Sequence, residues 1–135
     1  MQAKCRVKRG WIVAPSTVLR KRPDRVLHRS GVETTAGEMP ARWVIHAATM
    51  ELGGPTSSEI ISRATRSTVR KADELGCRSL ALVAFGTGVG GFPLDEAARL
   101  MVGAVRKHEP QSLSSVVFAV HGAAAEQAFR AALDS

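Results

Sequence analysis

The groups best suited to chemistry in this chain belong to the backbone. Gly86 to Gly91 reads GTGVGG, four glycines in six residues. With no bulky side chain over them, the N–H groups of Gly86, Thr87, Gly88, Val89, Gly90 and Gly91 can converge on an anion. A turn between strand and helix needs only one or two glycines for its backbone angles. Four exceed that need and fit a loop that holds a phosphate or diphosphate. The side chains offer less. His28, His46, His108 and His121 are scattered, and Cys5 and Cys77 make neither a C-x-x-C pair nor a disulfide scaffold. No metal site and no resident cofactor is therefore expected. His46 lies within an apolar run, which suits a hydrogen-bonded core histidine better than a catalyst.

The elements flanking the loop must position it. Ser79 to Phe85, SLALVAF, is nearly all apolar and reads as a strand buried on both faces. After Phe92 and Pro93, the residues Leu94, Ala97, Ala98, Met101, Val102 and Val105 share one helical face, with Asp95, Glu96, Arg99 and Arg106 off it. The positive end of that helix dipole would then face the loop.

Upstream, Val32 to Thr35 reads as a short strand ended by Gly37 and Pro40, and RWVIHAA as a strand with both faces largely covered. Gly53, Gly54 and Pro55 make a break. Thr56 and Glu59 then stand at capping-box spacing, before a helix with Ile61, Ala64, Thr65, Thr68, Ala72 and Leu75 on one stripe that stops at Gly76. Downstream, Ser115 to Val120 is a further β-type run, and Ala125, Ala128, Phe129, Ala132 and Leu133 mark a last amphipathic helix. Strand alternating with helix predicts a three-layer α/β domain.

The 135 residues fit one domain with a single core. No apolar run approaches the ~20 residues of a membrane span. Gly10 to Leu19 lacks a signal-peptide pattern, since Pro15 interrupts it and RKR follows it. A reduced cytoplasmic setting and no membrane partner are expected.

The net charge of +7 is unevenly placed. Residues 1–30 carry nine Lys/Arg against Asp24 alone, a net +8, while residues 31–135 carry ten against eleven acidic residues, a net −1. The chain thus divides into a basic, atypical segment (1–30) and a near-neutral domain (31–135) to which a strand from 10–16 can add. A basic arm can bind nucleic acid electrostatically, although it carries no groove-reading motif.

Gly86, Gly88 and Gly91 also match the dinucleotide fingerprint G-x-G-x-x-G. That match is weak. The loop follows the second-last strand rather than the first. His121 and Gly122, not an acidic residue, end the next strand, and Pro93 stands where the helix should be under way.

A better match is the macro domain family. VETTAGEMPARWVIHAATM (Val32 to Met50) resembles the third and fourth strands of its bacterial and archaeal members. ALVAFGTGVGGFPLDEAARLM (Ala81 to Met101) resembles the fifth strand, the second ligand-binding loop and the following helix. VVFAVHGAAAEQAFRAAL (Val116 to Leu133) resembles the last strand and helix. The resemblance covers residues 31–135 and implies an α/β/α sandwich with a mixed sheet. It implies ADP-ribose or an ADP-ribosylated ligand as partner, its diphosphate wrapped by Gly86 to Gly91. Gly90 stands where many members carry an aromatic beside the distal ribose. His121 falls near a position where many carry an aromatic that stacks on adenine or its ribose.

The N-terminal part departs from the family pattern. The adenine-recognising acid, the Asn-Ala-Ala-Asn stretch and the first glycine-rich loop are absent. Arg9 to Ser16, RGWIVAPS, can stand in for the second strand, and STVLRKRP for a remnant of the first helix. An N-terminally truncated or rearranged domain with a degraded pocket is expected. An active ADP-ribosyl or O-acetyl-ADP-ribose hydrolase and a nucleic-acid binder acting through the arm are the alternatives. The hydrolytic members rely on polar residues in the missing segment, so no catalytic residue is assigned.

Overall fold

The computed structural model describes residues 4–9, 31–51 and 54–135, with side chains described from residue 31 onward. Of the N-terminal expectations, the stand-in strand beyond Arg9, the helix remnant at Ser16 to Pro23 and most of the basic segment lie outside the described residues. So does Gly53 of the break.

Three strands form a parallel sheet. β1 (Lys4–Arg9) and β4 (Ser79–Leu82) lie on either side of β5 (Ser115–Val120). Cys5 and Leu80 are both level with Val116, and Val7 and Leu82 with Phe118. Lys4–Arg9 is therefore a strand of this sheet, at its edge among the described residues. The first residues of the basic segment thus pair in parallel with Ser115–Val120.

β2 (Val32–Thr35) and β3 (Trp43–His46) pair antiparallel as a second small sheet. Parallel and antiparallel pairing are both present in this α/β fold, divided between two sheets among the described residues.

The core sits between the parallel sheet and three helices. β5 alternates strictly, burying Val116, Phe118 and Val120 and leaving Ser115, Val117 and Ala119 partly exposed. α1 (Ser58–Glu74) contributes Ile61 and Val69 to this core. α2 (Leu94–Arg106) contributes Ala98, Met101, Val102 and Val105, and α3 (Ala123–Asp134) contributes Ala125, Ala128, Phe129 and Ala132. The stripes read from the helical period are thus buried except at their ends, where Leu75, Leu94 and Leu133 are half-buried. The rings of Phe118 and Phe129 meet at 5.0 Å with a 42° tilt, a contact worth about 0.5–1.5 kcal/mol beyond the area it buries.

β4 is shorter and less covered than its composition suggests. It ends at Leu82, Ser79 and Ala81 are exposed, and Val83 is 41% exposed. Among the described residues it pairs only with β5, so its other edge is unpaired there, and Phe85 already belongs to the turn that follows. The WVIH strand is likewise half-buried along its length. His46 is hydrogen-bonded, its Nε2 3.0 Å from Thr34 Oγ1 on the paired strand, but it is only half-buried and stands outside the core.

α1 begins one residue later than the capping-box spacing implies. The N-cap is Ser57, whose Oγ accepts from the Ile60 N–H at 3.3 Å. At the other end Gly76, with φ +69°, ends the helix as expected.

Helices α1 and α2 run side by side in the same direction and are tied at both ends. Ser58 Oγ donates to Glu96 Oε1 at 2.7 Å where both helices begin. Where both end, Asp73 Oδ2 lies 2.9 Å from His108 Nε2 and the same carboxylate accepts from the amides of Gln111, Ser112 and Leu113.

Candidate functional site

The glycine loop leaves the sheet at the C-terminal end of β4 and delivers the chain to α2. Its ends are closed by Phe92 N–H to Gly86 O at 2.9 Å, and its inner turn by Gly91 N–H to Gly88 O at 3.0 Å. Thr87 Oγ1 donates to Ala84 O at 3.0 Å, which uses its hydroxyl to fix the turn. Among the described residues, the N–H groups of Thr87, Gly88, Val89 and Gly90 make no hydrogen bond within the chain. These are the donors a bound anion would meet.

The fold itself requires glycine at Gly86 and Gly90. Gly86 has φ +72°, and a Cβ there would stand 2.5 Å from Ile61 Cδ1. A Cβ on Gly90 would come within 2.6 Å of the Gly86 carbonyl oxygen, closer than real atoms approach. Gly88 is different. A Cβ there would meet nothing within 4 Å, its φ is not positive, and the residue is exposed. Neither packing nor backbone geometry calls for glycine at this position, whereas close approach of a ligand to the backbone does. Val89 beside it is 99% exposed, an apolar side chain at the loop tip that no described residue covers.

The helix dipole adds less than its position suggests. Asp95 and Glu96 both stand in the first turn of α2, and the N-cap is Pro93 with no side-chain capping bond. Their carboxylates offset the positive end of α2. The attraction for an anion therefore rests on the loop amides themselves. Asp95 acts at this helix start by charge and not by a capping hydrogen bond.

His121 follows β5 directly and is exposed. Strands β4 and β5 are parallel neighbours, so the glycine loop and His121 leave the sheet from the same edge, outside the carboxyl ends of the strands where open α/β sheets bind ligands. Gly122, with φ +87°, then starts α3. Gly86 to Gly91 are thus gathered in one loop, with His121 on the adjoining exit.

One residue beside the loop was read differently from sequence. Thr56 packs beneath it, with Cγ2 at 3.2 Å and 3.3 Å from the Cβ positions of Gly86 and Gly90. Among the described residues its buried Oγ1 has no hydrogen-bond partner, and neither has Trp43 Nε1. Thr56 had looked like the helix cap because Glu59 completes a capping box. Ser57, one residue on, takes that role and leaves Thr56 to floor the loop.

Residues 13–101 match the Macro domain family model. An uncharacterised protein of Mycobacterium tuberculosis is 81% identical over 104 residues, which make up 77% of this chain and 29% of that protein. The chain thus spans less than a third of the length of its mycobacterial relatives. A macro domain-containing protein of Streptomyces coelicolor is 39% identical over 108 residues, 76% of this chain and 60% of that one. Among solved structures, the Trypanosoma brucei macrodomain in complex with ADP-ribose is similar with a TM-score of 0.68 at 26% identity, covering 76% of this chain and 44% of that one. The Oceanobacillus iheyensis macrodomain with MES bound gives 0.67 over 99% of this chain and 85% of its own, at 14% identity, a likeness of fold alone.

Proposed function

The chain belongs to the macro domain family, and from that premise we propose that it binds ADP-ribose or an ADP-ribosylated ligand. Gly86 to Gly91 wrap the diphosphate, with the N–H groups of Thr87, Gly88, Val89 and Gly90 as donors. His121 stacks on the adenine or its ribose from the adjoining strand exit. The observation that carries this reading is Gly88, a glycine that the fold does not require, set among unengaged amides. The Trypanosoma brucei macrodomain, similar at 26% identity, was solved with ADP-ribose and with ADP, and this supports the same ligand class here. Affinity is set by few donors. The carboxylates of Asp95 and Glu96 stand in the first turn of α2 and oppose an anion there.

Calorimetric titration with ADP-ribose and with AMP tests the proposal. ADP-ribose binds and AMP binds more weakly, because AMP lacks the diphosphate that the loop holds. Equal affinity for the two, or no heat with ADP-ribose, would remove the diphosphate from the reading.

A further inference from the structure

Toward the C-terminal ends of α1 and α2, a groove of about 370 Å³ is lined by Arg63, Arg66, Arg70, Lys107 and His108, with no carboxylate among its lining residues. It is separate from the glycine loop. The loop abuts Thr56 and Ile61 at the start of α1 and leads into the start of α2. Lys107 and His108 follow the last turn of α2, about 20 Å along that helix at 1.5 Å per residue. We propose that this groove binds the phosphate backbone of duplex nucleic acid without reading its sequence.

The three arginines stand three and four residues apart, so they share one face of α1 and form a row about 10 Å long. Guanidinium groups suit phosphate oxygens, which they meet with paired N–H donors. Arg63 and Arg70 touch Glu59 and Glu74 at 4.0 Å and 3.6 Å, in pairs where every side chain is 40% exposed or more. Such pairs contribute little and yield readily to a stronger anion. Arg66 and Lys107 are exposed and, among the described residues, have no ion pair. His108 is held by Asp73 and serves as wall.

The concentration of charge is local. Residues 31–135 carry a net −1 overall, yet this groove gathers cations from two helices and excludes acids from its lining. No Phe, Tyr or Trp lines it, and the His108 ring is tied to Asp73, so it lacks the row of stacking platforms on which single strands are bound. Contact with phosphates positions a duplex and carries no sequence information. The net +8 of residues 1–30 adds attraction of the same sign at longer range.

The test is fluorescence anisotropy of the full chain with a labelled 20-base-pair duplex of arbitrary sequence, titrated across a salt series. Three variants accompany it: Arg66→Glu with Lys107→Glu, Arg66→Lys with Lys107→Arg, and Arg20→Gln, Lys21→Gln, Arg22→Gln in the basic segment. The charge-reversed pair is expected to weaken binding by about tenfold or more at 0.1 M salt and to flatten the log–log salt slope by about 2. The charge-preserving pair is expected to bind as the parent does. ADP-ribose titration of the charge-reversed protein, expected unchanged, shows that the fold is intact. The proposal is overturned if the duplex does not bind or if salt has no effect. It is equally overturned if a single strand of the same length binds more tightly, or if only the basic-segment variant loses binding.

Discussion

Asp73 Oδ2 lies 2.9 Å from His108 Nε2, and the Asp73 carboxylate also accepts three backbone N–H groups, from Gln111, Ser112 and Leu113. One carboxylate so joins the end of α1, the end of α2 and the connection into β5. Its side chain is only 7% exposed. Burial raises the carboxyl pKa, but the three amides and His108 outweigh it and hold the group well below the usual aspartate range.

That clamp sets an acid limit on stability. A carboxylate whose folded pKa lies below its unfolded value, about 3.9, stabilises the fold fully above that value. The contribution is lost as pH falls through it toward the folded pKa. Asp73→Asn is expected to lose about 2–3 kcal/mol at pH 7, the scale of charge-assisted hydrogen bonds to a buried group. Between pH 4 and pH 2.5 the parent is expected to lose more stability than the variant. Unfolding monitored by circular dichroism at several pH values measures both, and parallel curves below pH 4 would contradict the clamp.

Gly88 and Gly90 are expected to answer to alanine in opposite ways. A methyl group on Gly90 meets the Gly86 carbonyl at 2.6 Å and should destabilise the fold by about 1–3 kcal/mol through overpacking. Gly88→Ala meets open space and should stay within about 0.5 kcal/mol of the parent. Denaturant midpoints at equal slope decide this. A larger loss at Gly88 than at Gly90 would mean the loop is packed differently.

Thr56 and Ser57 exchange the roles that their spacing suggests. Thr56→Val replaces a buried hydroxyl that has no partner among the described residues with a methyl of similar shape, and is expected to be neutral or slightly stabilising. Ser57→Ala removes the bond to the Ile60 amide and is expected to cost about 0.5–2 kcal/mol. Thermal unfolding of the two variants side by side is sufficient. A greater loss for Thr56→Val would return the cap to Thr56.

Where periodicity alone determines burial, the sequence was readable. Ala97, Ala98, Met101, Val102 and Val105 are buried because a stripe at helical spacing has one place to go, and the same holds for Ala125, Ala128, Phe129 and Ala132. Val32 to Thr35 came out with its expected bounds. The run SLALVAF did not, because Val83 to Phe85 are apolar residues spent on a turn, and apolarity does not separate a strand from the turn that ends it. The glycine loop was legible as a motif. Which glycine the fold leaves open was not, because the positive φ of Gly86 and the positions of Ile61 and the Gly86 carbonyl set Gly86 and Gly90 apart from Gly88. The basic groove was invisible for another reason. Arg63, Arg66 and Arg70 lie far along the chain from Lys107 and His108, and only the packing of α1 on α2 brings the five to one groove.

The central claim, that the loop amides hold a diphosphate, is tested most directly at Gly88 by calorimetric titration with ADP-ribose of the parent and of Gly88→Glu. The position is open, so the fold should survive, as a thermal midpoint close to the parent's would show. The carboxylate would place bulk and negative charge where the phosphates are to sit, and each charge-assisted N–H bond lost is worth about 1.5–3 kcal/mol. Binding is expected to fall at least tenfold, to or below detection. Unchanged affinity in a folded Gly88→Glu protein would contradict the assignment of this loop to the ligand.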